Sequence, residues 1–304
     1  MTLEGKRIVV TGATGQVAGP LAESLAAAGN EVIAAARFSD AAAKERLESA
    51  GVTCATVDLQ NGDLSALPRE GVDAVLNFAV SKTQRWDIDL RVTAEAPGDL
   101  MAWCRPERFL HCSTTGVYKP KGHEPITEKD ALGDNHAVLM PTYSIAKIAA
   151  ETVVRFASRQ FGVPTTIARL NVPYGGPAGG WPLFHLLMMQ GGMAIPVHAD
   201  APSTYCPIHQ DDIDASVPAL LDAASLDPTV VNWGGSEAVS VEEWCTYLGD
   251  LTGIEPTFET SADTLESVIV DTTKMASITG PTTVGWQDGF RRLVEAHDPS
   301  LLVG

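Results

Sequence analysis

The sequence predicts an α/β fold, a doubly wound parallel sheet followed by a smaller C-terminal lobe. Three observations predict it. The stretch Ile8–Leu21, IVVTGATGQVAGPL, reads as an apolar strand, a glycine-rich turn and the start of a helix. Strand-like apolar runs then alternate with helical stretches as far as Leu170. After Asn171 the texture changes to PYGGPAGGWP, a glycine- and proline-rich crossing into another lobe.

Each element follows in order. Residues 7–10 form the first strand and 16–28 a helix ended by Gly29. Val32–Ala36 is the second strand, alanine-rich 40–50 a helix ended by Gly51, and Val52–Val57 the third strand. Val72–Phe78 is the fourth strand, and helix 86–104 is interrupted by Pro97-Gly98, since proline lacks a donor. Phe109–Cys112 is the fifth strand. A polar loop over 119–140 precedes a long helix from Tyr143 to Phe161, and Thr165–Leu170 is the sixth strand. Beyond it come helices near 183–191, 209–224, 240–253 and 286–297, with short strands near 194–197, 230–233 and 267–270.

Composition bounds the function. A chain of 304 residues buries a large core, and 45% apolar with 19% charged residues is a globular balance. No apolar run approaches the roughly 20 residues that span a bilayer, and the N-terminus enters a strand at once, unlike a signal peptide. Five scattered cysteines without CxxC predict buried thiols in a reducing cytoplasm, not disulfides or zinc. A net charge of −17 disfavours nucleic acid and anionic membranes; a small-molecule substrate is the expected partner. His111, His185 and His209 are scattered, and no metal site is predicted.

The first turn, Gly12 to Ala18 through Thr14, Gly15, Gln16 and Val17, offers a phosphate its backbone N–H groups and a helix dipole. Its GxxGxxA spacing is related to the GxGxxG dinucleotide pattern without matching it. Arg37 stands just past the second strand, where an acid would favour a ribose hydroxyl and a guanidinium favours a 2′-phosphate. This predicts NADP(H) over NAD(H), unless Arg37 is only a surface side chain. Asp58, with Leu59, closes the third strand, where a carboxylate could take the adenine amino group or cap a helix. Phe78, Ala79 and Val80 let a cofactor pass over the sheet edge.

The chemistry-bearing set follows. Tyr143 and Lys147, spaced i, i+4, share one helix face, and Ser113-Thr114-Thr115 follows the fifth strand. A phenol ordinarily ionises near ~10. An ammonium about 4 Å away at an effective dielectric near 20 is worth on the order of 4 kcal/mol, enough to bring it close to neutrality. The alternative is a solvated helix face.

These residues resemble the extended short-chain dehydrogenases/reductases of the NAD(P)-dependent epimerase/dehydratase superfamily. The matching segments are TGATGQVA (11–18), VDL (57–59), NFA (77–79), STTGVY (113–118), YSIAK (143–147), RLNVPYG (169–175) and PIHQDDI (207–213). The resemblance implies a Rossmann-type domain over 1–171 plus about 209–235, with a substrate lobe from 172–208 and 236–304. It makes Thr114, Tyr143 and Lys147 catalytic, with Lys147 lowering the tyrosine's pKa and holding the nicotinamide ribose. It adds Val172 to the cofactor-binding positions. It also implies a homodimer through helices 86–104 and 143–161.

Departures bear on the substrate. Nucleotide-sugar dehydratases of the family carry Asp-Glu where this chain has Thr115-Gly116. Sugar-nucleotide members place Asn at Val172, here one residue earlier at Asn171, and an Arg before PIHQDD, absent here. No Lys or Arg occurs between Val172 and Thr272, so a diphosphate would lack partners. Trp181, Phe184, Leu187, Met188 and Met189 suggest an apolar pocket, or only a core. The expected activity is therefore an NADP(H)-dependent oxidoreductase moving hydride to or from a small or apolar carbonyl/alcohol. A nucleotide-sugar epimerase and a non-catalytic NADP-binding protein are the alternatives.

Overall fold

The computed structural model describes residues 3–175 and 179–303. Its centre is a seven-stranded, all-parallel sheet. The strands are β1 (Arg7–Thr11), β2 (Glu31–Ala36), β3 (Thr53–Thr56), β4 (Ala74–Asn77), β5 (Arg108–Thr114), β6 (Thr165–Leu170) and β7 (Thr229–Trp233). Their spatial order is β7-β6-β5-β4-β1-β2-β3. The winding reverses between β1 and β4, which opens a crevice at their carboxyl ends.

Both faces of the sheet are covered. Ile8, Val10, Ala34 and Leu76 point into one apolar cluster, while Val9, Ile33, Ala35 and Val75 point into the other. The two sets alternate along each strand because strand side chains have a period of two. On the first face lie α1 (Ala18–Ala27), α2 (Ala41–Ser49), α6 (Gln210–Asp222) and α8 (Thr273–Thr279); on the second lie α3 (Ala96–Cys104) and α4 (Tyr143–Phe161). A third cluster, around Trp244, Tyr205 and Phe290, builds the second lobe from α5 (Gly180–Gln190), α7 (Val241–Thr252) and α9 (Trp286–His297). It also takes Tyr118 and Ile126 from the chain after β5.

Three expectations change. Pro97-Gly98 does not break its helix. A π-helical segment, Leu90–Glu95, precedes α3 and leaves Pro97 in the first turn, where its missing N–H costs little. β5 runs two residues further than the apolar run and carries Ser113 and Thr114 inside the sheet. Residues 267–270 form isolated bridges, not a strand, while Phe258–Ser261 pairs with Ile195–His198. Elsewhere local signals hold: α4 ends at Gly162 with φ +69°, and α7 starts with a Ser240–Glu243 capping box.

Candidate active site

A cavity of about 340 Å³ opens over the crevice between β1 and β4. Gly12 begins its floor, with φ +70° and so close to the β4 exit that a Cβ would lie 2.9 Å from Ala79 N and Phe78 C. Only glycine fits there. The next turn closes with Gly15 N donating to Gly12 O at 2.8 Å. α1 then begins at Val17 with no side-chain cap and no acidic residue in its first turn. Its unpaired N–H groups suit an anion, so the turn fits a dinucleotide pyrophosphate.

The cavity brings together Gly12, Gly15, Gln16, Val17, Phe78 and Val80 from the turn and the β4 exit. Thr114, Tyr143, Lys147 and Val172 line it as well. Gln16 Nε2 donates to Pro173 O at 2.9 Å and so ties the turn to the crossing into the second lobe. Thr14, Arg37, Asp58, Leu59 and Ala79 do not line it. Thr14 and Arg37 are exposed, and Arg37 has no ion pair or hydrogen bond among the described residues. Asp58 accepts from Gln60 N at 3.0 Å, a local turn, and Leu59 packs in the core.

Tyr143 opens α4 beside the end of β5. Burial pushes its phenol up to about 12, a hydrogen bond with Thr114 pulls it down, and Cys112 pushes it up further. Thr114 Oγ1 also accepts from Gly116 N at 3.0 Å. Lys147 Nζ donates to the carbonyl of Cys112 at 2.8 Å, and burial lowers its own pKa. The expected lowering of the tyrosine by Lys147 is thus not what this geometry produces. The ammonium is committed to a backbone carbonyl, and desolvation dominates the phenol.

α4 is braced from below and at its tip. Below, Glu151 takes two bonds from Arg169, Nε at 2.8 Å and Nη2 at 2.7 Å, and one from Ser113 Oγ at 2.7 Å. At the tip, buried Asp89 gathers Ser81 Oγ, Thr83 N and Oγ1, Gln84 N and Thr142 Oγ1, the last at 2.7 Å and next to Tyr143. Burial opposes its ionisation, but these donors prevail and hold the carboxyl at about 2.

Two side chains that sequence reasoning passed over also line the cavity. Lys82 Nζ stands 5.1 Å from the centre of the Tyr143 ring. The His136 ring lies 5.2 Å from the Tyr143 ring, centre to centre. Lys82 lay four residues past Phe78, within reach of the same loop argument. His136 sits in the polar loop, where no local pattern marks it.

The second-lobe wall is apolar: Trp181, Tyr205, Leu265 and Val268. Of the five α5 positions expected to form a pocket, only Trp181 lines it. Phe184 and Leu187 are on the outer face, 57% and 44% exposed, and Met188 and Met189 pack into the lobe's core. The helical period separates them. Asn171 lines the cavity, but its amide is occupied by Thr115 Oγ1, Val268 O and Cys206 N. The histidines have structural partners: His111 Nδ1 with Asn77, His185 with Trp244, and His209 capping α6.

The profile of the NAD dependent epimerase/dehydratase family matches residues 8–180, more than half of the chain. The protein belongs to that family. A curated relative, dTDP-6-deoxy-L-talose 4-dehydrogenase (NAD(P)(+)) of Kitasatospora kifunensis, is 27% identical over 267 residues, covering 82% of this chain and 80% of its own. Among solved structures, UDP-glucuronic acid 4-epimerase from Bacillus cereus, in complex with UDP-glucuronic acid and NAD, superposes with a TM-score of 0.82 at 21% identity, covering 97% and 99% of the chains. DesIV, the dTDP-glucose 4,6-dehydratase from Streptomyces venezuelae with NAD and TYD bound, gives 0.81 at 21%, covering 96% and 97%. At that identity the likeness is one of fold. Both of those structures hold NAD, so the NADP(H) preference read from Arg37 has no support from them.

Proposed function

We propose that this protein is an NAD(H)-dependent oxidoreductase acting on a secondary alcohol or ketone of a nucleotide-linked sugar, by net redox or by epimerisation. The observation that carries this reading is the grouping of Thr114, Tyr143 and Lys147 around one cavity beside the Gly12 turn. The relatives named above supply the substrate class, which shifts the expectation from a small apolar carbonyl to a sugar nucleotide.

Bound nicotinamide supplies the hydride acceptor or donor. The chain's own part is to hold and move a proton. Tyr143, protonated at neutral pH with its pKa pushed up to about 12, donates to a carbonyl oxygen as it becomes an alkoxide. In the reverse direction it takes the hydroxyl proton. Thr114 orients the same oxygen through its hydroxyl. Lys147, tied to the Cys112 carbonyl, lines the same cavity and would hold the nicotinamide ribose through its remaining hydrogens. Thr115 and Gly116 offer no acid or base, which disfavours elimination.

A second reading keeps the same proton transfer on a small unphosphorylated carbonyl. It is favoured by the lack of Lys and Arg between Val172 and Thr272. The test is calorimetric titration of the NAD-loaded protein with UDP-glucose and dTDP-glucose. Saturable binding of either supports the first reading, and binding of neither moves the assignment to the second. Arg37, exposed at the ribose end of the turn, would also tolerate NADP(H). The exposed apolar Ile145 and Phe156 of α4 fit the expected homodimer, which sedimentation would test.

A further inference from the structure

His136 holds a position that the chemistry above does not use. Its backbone N–H donates to Asp134 Oδ1 at 3.1 Å. Its ring is fixed from one side only, by Asn135. The Asn135 Nδ2 donates to Thr115 O at 3.2 Å, so Oδ1 is the free acceptor and must receive the Nδ1 proton of His136. This sets the tautomer: Nδ1 carries hydrogen and Nε2 carries a lone pair. Nε2 has no hydrogen-bond partner among the described residues, on a ring that lines the cavity.

Gly116 makes the room for this ring. A Cβ there would lie 2.7 Å from His136 Nδ1, 2.8 Å from Cε1 and 3.3 Å from Thr114 Oγ1. The imidazole therefore fills the space a side chain at 116 would claim, beside Thr114 and the Tyr143 ring. It stays neutral there, because burial and nearby Lys82 lower its pKa to about 4 against the opposing pull of Asp134. A substrate carbon reacting at the Tyr143 hydroxyl would bring its ring neighbours towards His136, whose ring is 5.2 Å from that of Tyr143.

We propose that His136 Nε2 accepts a hydrogen bond from a substrate hydroxyl adjacent to the reacting carbon, making His136 a specificity-determining residue. The assignment rests on the nucleotide-sugar reading above. No proton is transferred at His136; it orients the ring and selects for a hydroxyl donor, as an unpaired acceptor in a closed site penalises a substrate lacking one.

The experiment combines nitrogen NMR of the imidazoles with steady-state kinetics, using NAD with UDP-glucose and dTDP-glucose as probes. His136 is expected as the Nδ1–H tautomer at neutral pH, with Nε2 moving upfield when the probe binds. His136→Ala raises KM for the probe by about five- to tenfold, leaves kcat within about twofold and leaves NAD affinity unchanged. His136→Gln, which keeps an acceptor, recovers part of the loss. Gly116→Ala raises KM similarly by displacing the ring, and adds nothing when combined with His136→Ala. An Nε2–H imidazole, or an unchanged KM in His136→Ala, overturns the assignment while leaving the nucleotide-sugar reading intact. A wild type that binds neither probe overturns both.

Discussion

The two walls of the cavity are built from different chemistry. The wall on the sheet side carries Tyr143, Lys147, Lys82 and His136; hydrogen bonds tie Tyr143 and Lys147 to β5 and His136 to its neighbour Asn135, while Lys82 stands over the Tyr143 ring. The opposite wall presents Trp181, Tyr205, Leu265 and Val268, and no Lys or Arg occurs anywhere from Val172 to Thr272. The first wall is polar and partly desolvated, so charge is costly there, and burial lowers the pKa of both of its lysines. The second resembles a core turned outward. On the proposed function, the contrast assigns reaction type to the sheet side and recognition of the substrate's remote part to the lobe side.

The largest expected effect breaks the first wall chemically. Tyr143→Phe should cut turnover by roughly 10²–10⁴-fold while NAD titration stays unchanged, since only the proton carrier is lost. In the intact enzyme the raised phenol pKa gives the direction of the pH profile. Carbonyl reduction should be flat through neutrality, and alcohol oxidation should rise with pH as the phenolate becomes accessible. Next, Glu151→Ala should unfold the brace of α4 and leave Arg169 buried without its partner. About 3–5 kcal/mol of stability should be lost in chemical denaturation.

A smaller effect is expected at Asp89, whose five donors join the 81–84 loop to the tip of α4. Asp89→Asn should cost on the order of 2 kcal/mol and lower kcat more than it alters NAD binding, because the loop carrying Lys82 and the residue before Tyr143 loosen together. Its carboxyl is depressed to about 2 in the fold, so its stabilisation is complete above the ordinary carboxylate range and is lost as pH falls towards that value. A denaturation series between neutral and acid pH reads this, and an unchanged acid limb in Asp89→Asn would contradict it. Smallest, and a sharpening of the lobe side, Leu265→Arg should tighten UDP-glucose binding by a few-fold by adding the missing cation. No change, or weaker binding, would place the diphosphate elsewhere.

The sheet was legible because its signals are local. Apolar runs with glycine stops mark β1, β2 and β6, and Gly162 marks the end of α4. The short pairings of the second lobe were not legible, since Val239–Ser240 meets Thr204–Tyr205 only through tertiary packing. At the site, Gly12, Thr114, Tyr143 and Lys147 could be read from spacing and resemblance. His136 could not, because what fixes it is space left by Gly116 and a bond from its neighbour Asn135, neither of which has a sequence period. The phenol's pKa is hidden for a related reason: the sequence shows a charge four residues away, while the desolvation of the ring and the claim of the Cys112 carbonyl on Lys147 exist only in the fold.

Hydride chemistry on a nucleotide-linked sugar, with Tyr143 as the proton carrier, can be read by rapid mixing of the NAD-loaded protein with dTDP-glucose or UDP-glucose while nicotinamide reduction is followed by fluorescence, in the wild type and in Tyr143→Phe. Reduced nicotinamide is expected in the wild type with at least one of the two sugars, and almost none in the variant at equal NAD occupancy. Equal reduction in both proteins, or none in the wild type with either sugar, would contradict it.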